Sequence, residues 1–245
     1  MKDQLLIEKF ISIFEDHISF VTKAELPKYG ELYKKIICFG IIDTLSKTVL
    51  ELKQHRKRIT KFITTYSDHL IWNKVSSSHL MKLLELESFS EFDSLKTEVS
   101  KILNRIQTQS YCIVDLDYED ICYRWPKIQF VKHKINNKKI DLSDIKHINL
   151  FYNYRNYLIH ELRRTDSTWD DDIEHTEPYY ECLIDTRITP NNNCWEIGYP
   201  LGFFVKICNE LIHNTKEYLN SKSINPYSIF ERTDFLIKEF NQRWF

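Results

Sequence analysis

The sequence predicts a mainly α-helical protein, and three observations carry that expectation. Apolar residues recur every three or four positions along several long stretches, the spacing that lines one face of a helix. Breakers such as Pro27 and the Asn225-Pro226 pair fall between those stretches, where helices would stop. Strand-like composition is confined to short tracts, at residues 111–114, 179–188 and 194–198.

Taken in order, residues 2–21 form the first expected helix, with Leu5, Leu6, Phe10, Ile13, Phe14 and Phe20 near helical spacing. A second covers 30–52 through Leu32, Ile36, Phe39, Ile42, Leu45 and Leu50. Within it Gly40 admits close approach of a neighbour, and Asp43 interrupts the apolar face. Asp is rarely fully buried, so an exposed carboxylate is expected there unless a polar partner meets it. The basic run Lys53-Gln54-His55-Arg56-Lys57-Arg58 leads into a third helix at 59–72. Such a run reads either as a solvated helix junction or as a contact for an RNA backbone. Ser76, Ser77 and Ser78 offer N-caps for a short helix at 79–86, and another follows at 91–106 on Phe92, Leu95, Val99, Ile102 and Leu103.

The texture changes between 107 and 149. Tyr111-Cys112-Ile113-Val114 is strand-like, Asp115, Asp117, Glu119 and Asp120 make an acidic turn, and Pro126 interrupts 121–131. A basic tract at 132–139 has the composition of a loop or hairpin tip. We read about 107–140 as an insertion within a single domain spanning 1–245. The acidic cluster lacks the ordered ligand spacing of a calcium loop, so a solvated turn and no metal site are expected. Asp141-Leu142-Ser143-Asp144 then starts a helix over 145–164. A β-hairpin at about 179–198 turns through Pro190-Asn191-Asn192-Asn193, a closing helix covers 201–219, and 229–245 ends the chain as a helix or apolar tail.

Composition excludes several function classes. With 245 residues, 42% hydrophobic and 28% charged, the chain can bury a substantial core. No apolar run approaches the ~20 residues that span a bilayer, and Asp3 and Glu8 lie where a signal peptide would be apolar. A cytoplasmic protein without a membrane partner is expected. Six scattered cysteines make no CxxC pair, so reduced, mostly buried thiols are expected. The net charge of −1 argues against nucleic-acid binding through overall positive charge but leaves local basic patches open.

The helix at 145–164 carries the chemistry. Residues 151–164 read FYNYRNYLIHELRR, in which Phe151, Tyr154, Leu158 and Leu162 form an apolar stripe. Asn156 and His160 stack one turn apart on the face roughly opposite, with Arg163 near them. The five-residue step from Arg155 to His160 is a rotation of about 140°, so Arg155 sits at the flank of the stripe and must reach round. His is suited to proton transfer near neutral pH, and Arg gives bidentate, permanently charged contacts to phosphate oxygens. A zinc protease helix would need a second His where Arg164 stands.

Arg155-Asn156-Tyr157-Leu158-Ile159-His160 resembles the signature of HEPN domains, an Arg, a polar residue, three variable residues and a His on a late helix of an antiparallel helical bundle. The resemblance implies an endoribonuclease that needs no metal or other cofactor. It would leave 2′,3′-cyclic phosphate and 5′-OH ends, and two subunits would face their motifs across a shared cleft. It implies Arg155, Asn156 and His160 as catalytic residues. Arg163 and Arg164 would anchor RNA, with Arg56, Lys57 and Arg58 as further contacts. The implied partners are RNA, with tRNA among the candidates, a second copy of the chain, and an antitoxin or other regulatory protein. The implied role is that of a toxin or antiviral effector. In a related variant an antitoxin modifies a Tyr two residues after the motif His; Leu162 stands there in this chain, which disfavours that control. The alternatives are a non-catalytic HEPN-like dimer that binds a nucleotide or a protein, and a structural helical adaptor in which the motif side chains are replaceable.

Overall fold

A computed structural model of the chain describes residues 2–26, 30–85, 92–108, 115–125, 130–132, 139–162, 174–184 and 193–228. Its helices are α1 (Lys2–Lys23), α2 (Gly30–Val49), α3 (His55–Tyr66), α4 (Ser77–Glu85), α5 (Asp93–Thr108), α6 (Tyr118–Arg124), α7 (His147–Glu161) and α8 (Leu201–Lys222). The strands described pair in antiparallel twos. These are β1 (Lys74–Val75) with β2 (Leu116–Asp117), β3 (Phe130–Lys132) with β4 (Lys139–Asp141), and β5 (Tyr179–Ile184) with β6 (Asn193–Gly198). The mainly α expectation and the late hairpin hold. The stretch read as an insertion contains β2, α6 and the β3–β4 hairpin. The strand expected at 111–114, the last two residues of the helix expected at 145–164 and the tail at 229–245 lie outside the described residues.

Two apolar cores form. The larger joins α1, α2, α3, α7 and α8 through residues such as Phe14, Phe39, Phe62, Phe151 and Phe204. The smaller joins α4, α5 and α6 through residues such as Leu84, Val99 and Ile121, with Tyr180 of β5 against it. Each large side chain so buried contributes about 1.5–3 kcal/mol. Among the described residues no helix is long and apolar enough to cross a membrane.

Several local expectations are corrected by packing. On α1 the buried face runs through Ile7, Phe10, Ile11, Phe14, Ile18 and Val21, while Leu5, Ile13 and Phe20 are exposed. The helix is apolar on more than one side, and contact with α2 and α8 selects which side turns inward. A Cβ on Gly40 would meet nothing within 4 Å, so no neighbour approaches closely there. The third helix starts at His55 and stops at Tyr66 because Ser67 is extended (φ −115°, ψ 131°). The Ser67 hydroxyl accepts from Trp72 Nε1 at 3.1 Å and donates to Glu210 at 2.8 Å, a local polar alternative to the helical ladder. Leu70–Asn73 follows as a 3-10 turn.

The acidic turn is also different. Asp115 is buried, and Tyr118–Arg124 is helical. Asp115 Oδ2 lies 2.5 Å from Nε2 of the fully buried His147 at the start of α7, and Oδ1 accepts the Ser77 N–H at 3.0 Å. The Tyr180 hydroxyl is 2.8 Å from Asp115 Oδ2 and accepts the same Ser77 N–H at 2.9 Å. Burial, and then the Asp115 carboxylate, push that phenol well above its ordinary pKa. This network ties the first residue of α7 to α4 and β5. It replaces a solvated turn with a buried anchor, in which every carboxylate oxygen has a partner.

Candidate active site

The local sequence sets α7 from both ends. Asp141 and Asp144 make a capping box on the 3-10 turn Leu142–Ile145, Lys146 is extended, and the α-helix proper starts at His147. At the other end Leu162 takes a left-handed conformation (φ 49°, ψ 35°), and its N–H reaches the Tyr157 carbonyl. Leu162 therefore leaves the expected stripe and is exposed, whereas Phe151, Tyr154 and Leu158 are buried. Phe151 fixes the rotation of the helix: its ring lies 4.9 Å from Phe39, 5.3 Å from Trp72 and 5.1 Å from Phe204. Tyr154, beside it, accepts a hydrogen bond from the buried Lys35 Nζ at 3.2 Å.

With that rotation set, Arg155 projects about 40° from Phe151 and is itself only 9% exposed. Its guanidinium reaches round the helix as the spacing requires. Nη1 donates to Asn156 Oδ1 at 3.1 Å and lies 3.4 Å from His160 Nε2. A guanidinium can only donate, so this contact needs the lone pair of Nε2, and the proton of the neutral ring is then on Nδ1. The buried Arg155 Nε–H has no acceptor among the described residues. His160 is exposed and Asn156 half-buried, so the group opens to solvent from a buried base.

Behind Arg155 lies a second set of polar side chains, only partly anticipated. His55 Nε2 is 3.0 Å from Asp43 Oδ1, and its Nδ1 is 2.9 Å from the Tyr152 hydroxyl. With Asp43 ionised, Nε2 donates and Nδ1 accepts from Tyr152. Burial, and next the positive charge of Arg155, lower the His55 pKa, against the opposing pull of Asp43. Burial alone would raise Asp43; hydrogen bonds from Lys47 and Arg58 outweigh it and hold the carboxyl below its ordinary value. Asp43 is thus the partnered carboxylate, not the exposed one. The signal available in the sequence was the spacing of Tyr152 from Arg155 and Asn156, which puts all three on one side of α7.

The expected RNA contacts separate. Arg58 is buried. It donates to Ser46 Oγ at 3.1 Å, the Leu52 carbonyl at 3.4 Å and Asp43 Oδ1 at 2.8 Å, so its guanidinium is spent on bonds inside the fold. Arg56 is exposed, donates to Asn149 Oδ1 at 3.1 Å and sits 5.7 Å from the centre of the Tyr152 ring. Lys57 points to solvent. Arg163 and Arg164 lie outside the described residues. Among the described residues no cluster of three or more His, Cys, Asp or Glu side chains is placed to hold a metal. Cys38 and Cys208 are buried free thiols, and Cys122 is an exposed one. No family model, no curated protein and no solved structure matches this chain.

Proposed function

We propose that the chain is a HEPN-like endoribonuclease that cuts RNA without a metal. The observation that carries the reading is the convergence of Arg155, Asn156 and His160, with the buried Arg155 keeping an unused N–H donor. Buried polar groups without partners are rare in folded proteins and mark places where a ligand completes the set.

In this mechanism a phosphodiester replaces His160 and Asn156 as the acceptor for the Arg155 guanidinium, which binds two non-bridging oxygens in its fork. The released His160 Nε2 takes the proton of the ribose 2′-OH. The 2′ oxygen attacks phosphorus, the P–O5′ bond breaks, and the departing 5′ oxygen takes a proton. Products are a 2′,3′-cyclic phosphate and a 5′-OH end. Arg155 stabilises the charge that builds on the phosphorane, and Asn156 orients the phosphate or the imidazole. The solvent-facing position of His160 supports a homodimer in which a second copy's His160 supplies the proton to the leaving group. By the family resemblance, the biological role is that of a toxin or antiviral effector under the control of another protein.

The test is cleavage of tRNA and a panel of structured RNAs by wild type and His160→Ala in EDTA, with end-group analysis. Cutting by wild type, lost in the variant and leaving cyclic phosphate ends, is the expected outcome. Equal cutting by both proteins removes His160 from the mechanism.

A further inference from the structure

The other end of α7 carries a groove of about 550 Å³ between α3 and the start of α7. Lys57, Lys61 and Lys146 line it together with Thr60 and Asn149, and none of its lining residues is acidic. The bias begins in the sequence of α3, HRKRITKFITTY, which has four Lys and Arg residues and no carboxylate, in a chain whose total charge is −1. Lys57 and Lys61 are one helical turn apart, exposed, and without an ion-pair partner among the described residues. Lys146 is held in place by Asn73 Oδ1 at 2.6 Å and by the face of Tyr118.

A chain of side-chain contacts links the groove to the motif. Asn149 in its wall accepts from Arg56, Arg56 covers the Tyr152 ring, and Tyr152 bonds His55, whose charge state responds to Arg155. Asn149, Asn153, Asn156 and His160 follow one another at helical spacing along the same side of α7. From Asn149 to His160 the rise is about 16 Å. This polar side of α7 therefore leads from the cationic groove toward the group that would hold the scissile phosphate. Acids stand at the margin of the groove: Asp144 lies 3.7 Å from Arg56, and Glu119 is close enough to Lys146 to feel its charge.

We propose that this groove binds the backbone of single-stranded RNA several nucleotides away from the bond that is cut, so that the seam between α3 and α7 is the path of the strand. The identity of the ligand rests on the ribonuclease reading. The chemistry recognised is a row of phosphates. Flexible ammonium groups meet each as point charges, and Thr60 and Asn149 add polar contacts without base specificity. An open, hydroxyl-rich groove about three helical turns along α7 from the motif fits an extended strand better than a single enclosed nucleotide.

The test is fluorescence anisotropy with a labelled single-stranded RNA of about a dozen nucleotides, titrated across a range of salt. The proteins are His160→Ala, which keeps the probe intact, and the same chain carrying Lys57→Gln and Lys61→Gln, with matched melting curves. We expect at least about tenfold weaker binding in the triple variant. The slope of log affinity against log salt should fall by about 1.4, at ~0.7 per lost phosphate contact. Unchanged affinity and slope overturn the proposal. So does equally tight binding of ATP, which would make the groove a nucleotide site, or of poly-glutamate, which would make it a site for an acidic protein. Binding as expected by a protein whose wild type cuts no RNA overturns the ribonuclease reading and leaves the groove standing.

Discussion

Nη1 of Arg155 stands 3.4 Å from Nε2 of His160 although the two residues leave α7 about 140° apart. The contact is possible because Arg155 starts from a buried position beside Phe151 and extends along the helix surface, while His160 stays exposed. A guanidinium can only donate, so the contact calls for a lone pair on Nε2, and it turns the guanidinium toward the exposed side of the group.

A buried cation with an unused donor is a cost to the fold, and on the ribonuclease proposal that cost serves phosphate binding. Arg155→Met is expected to cut single-turnover RNA cleavage by about 10²–10³-fold, while the melting temperature holds or rises. A fall in melting temperature would assign Arg155 a structural role instead. Arg155→Lys should rescue little, because an ammonium lacks the fork.

Arg58 and Arg56 should differ sharply although they lie two residues apart. Arg58→Ala removes the guanidinium that donates to both Asp43 Oδ1 and Ser46 Oγ, leaving Asp43 with only His55 and Lys47, and is expected to cost about 2–3 kcal/mol. Arg56→Ala removes exposed contacts and should cost no more than about 0.5–1 kcal/mol. Urea denaturation midpoints compare the two directly.

Acidification should destabilise the fold through His79. Burial, then the positive charges of Lys82 and His147, lower its pKa to about 4 in the folded chain, against an ordinary 6.5, while Asp115 opposes them. Above 6.5 the ring is neutral in both states and contributes nothing. Between 6.5 and 4 the unfolded chain binds the proton and the folded chain does not, so stability falls as pH falls. The loss is on the order of 3 kcal/mol. His79→Gln should flatten the urea midpoint over that window. His55, lowered in the same direction, leaves a residual slope.

Leu162 ends the motif helix in a left-handed conformation that suits Gly better than a residue with a Cβ. Its side chain is exposed, so little packing would be lost. Leu162→Gly is expected to stabilise the protein by about 0.5–1 kcal/mol in thermal or urea unfolding.

Helical periodicity determined the class of the fold, the presence of a helix near each expected position among the described residues and the late hairpin, because a 3.6-residue repeat is a local property of the chain. The residues of the candidate site were legible for the same reason. The short step from Arg155 to Asn156 and His160 lies within one helix, whose geometry is known before any contact is made. The sequence alone could not say which side of α1 turns inward, since apolar residues occur on more than one side and the neighbours choose. Nor could it place Asp43 and Asp115, read as exposed, beside His55 and His147. It could not separate buried Arg58 from exposed Lys57 within one basic run either. A carboxylate or a guanidinium is buried only where a partner from a distant segment arrives to satisfy it, and that meeting is decided by tertiary structure.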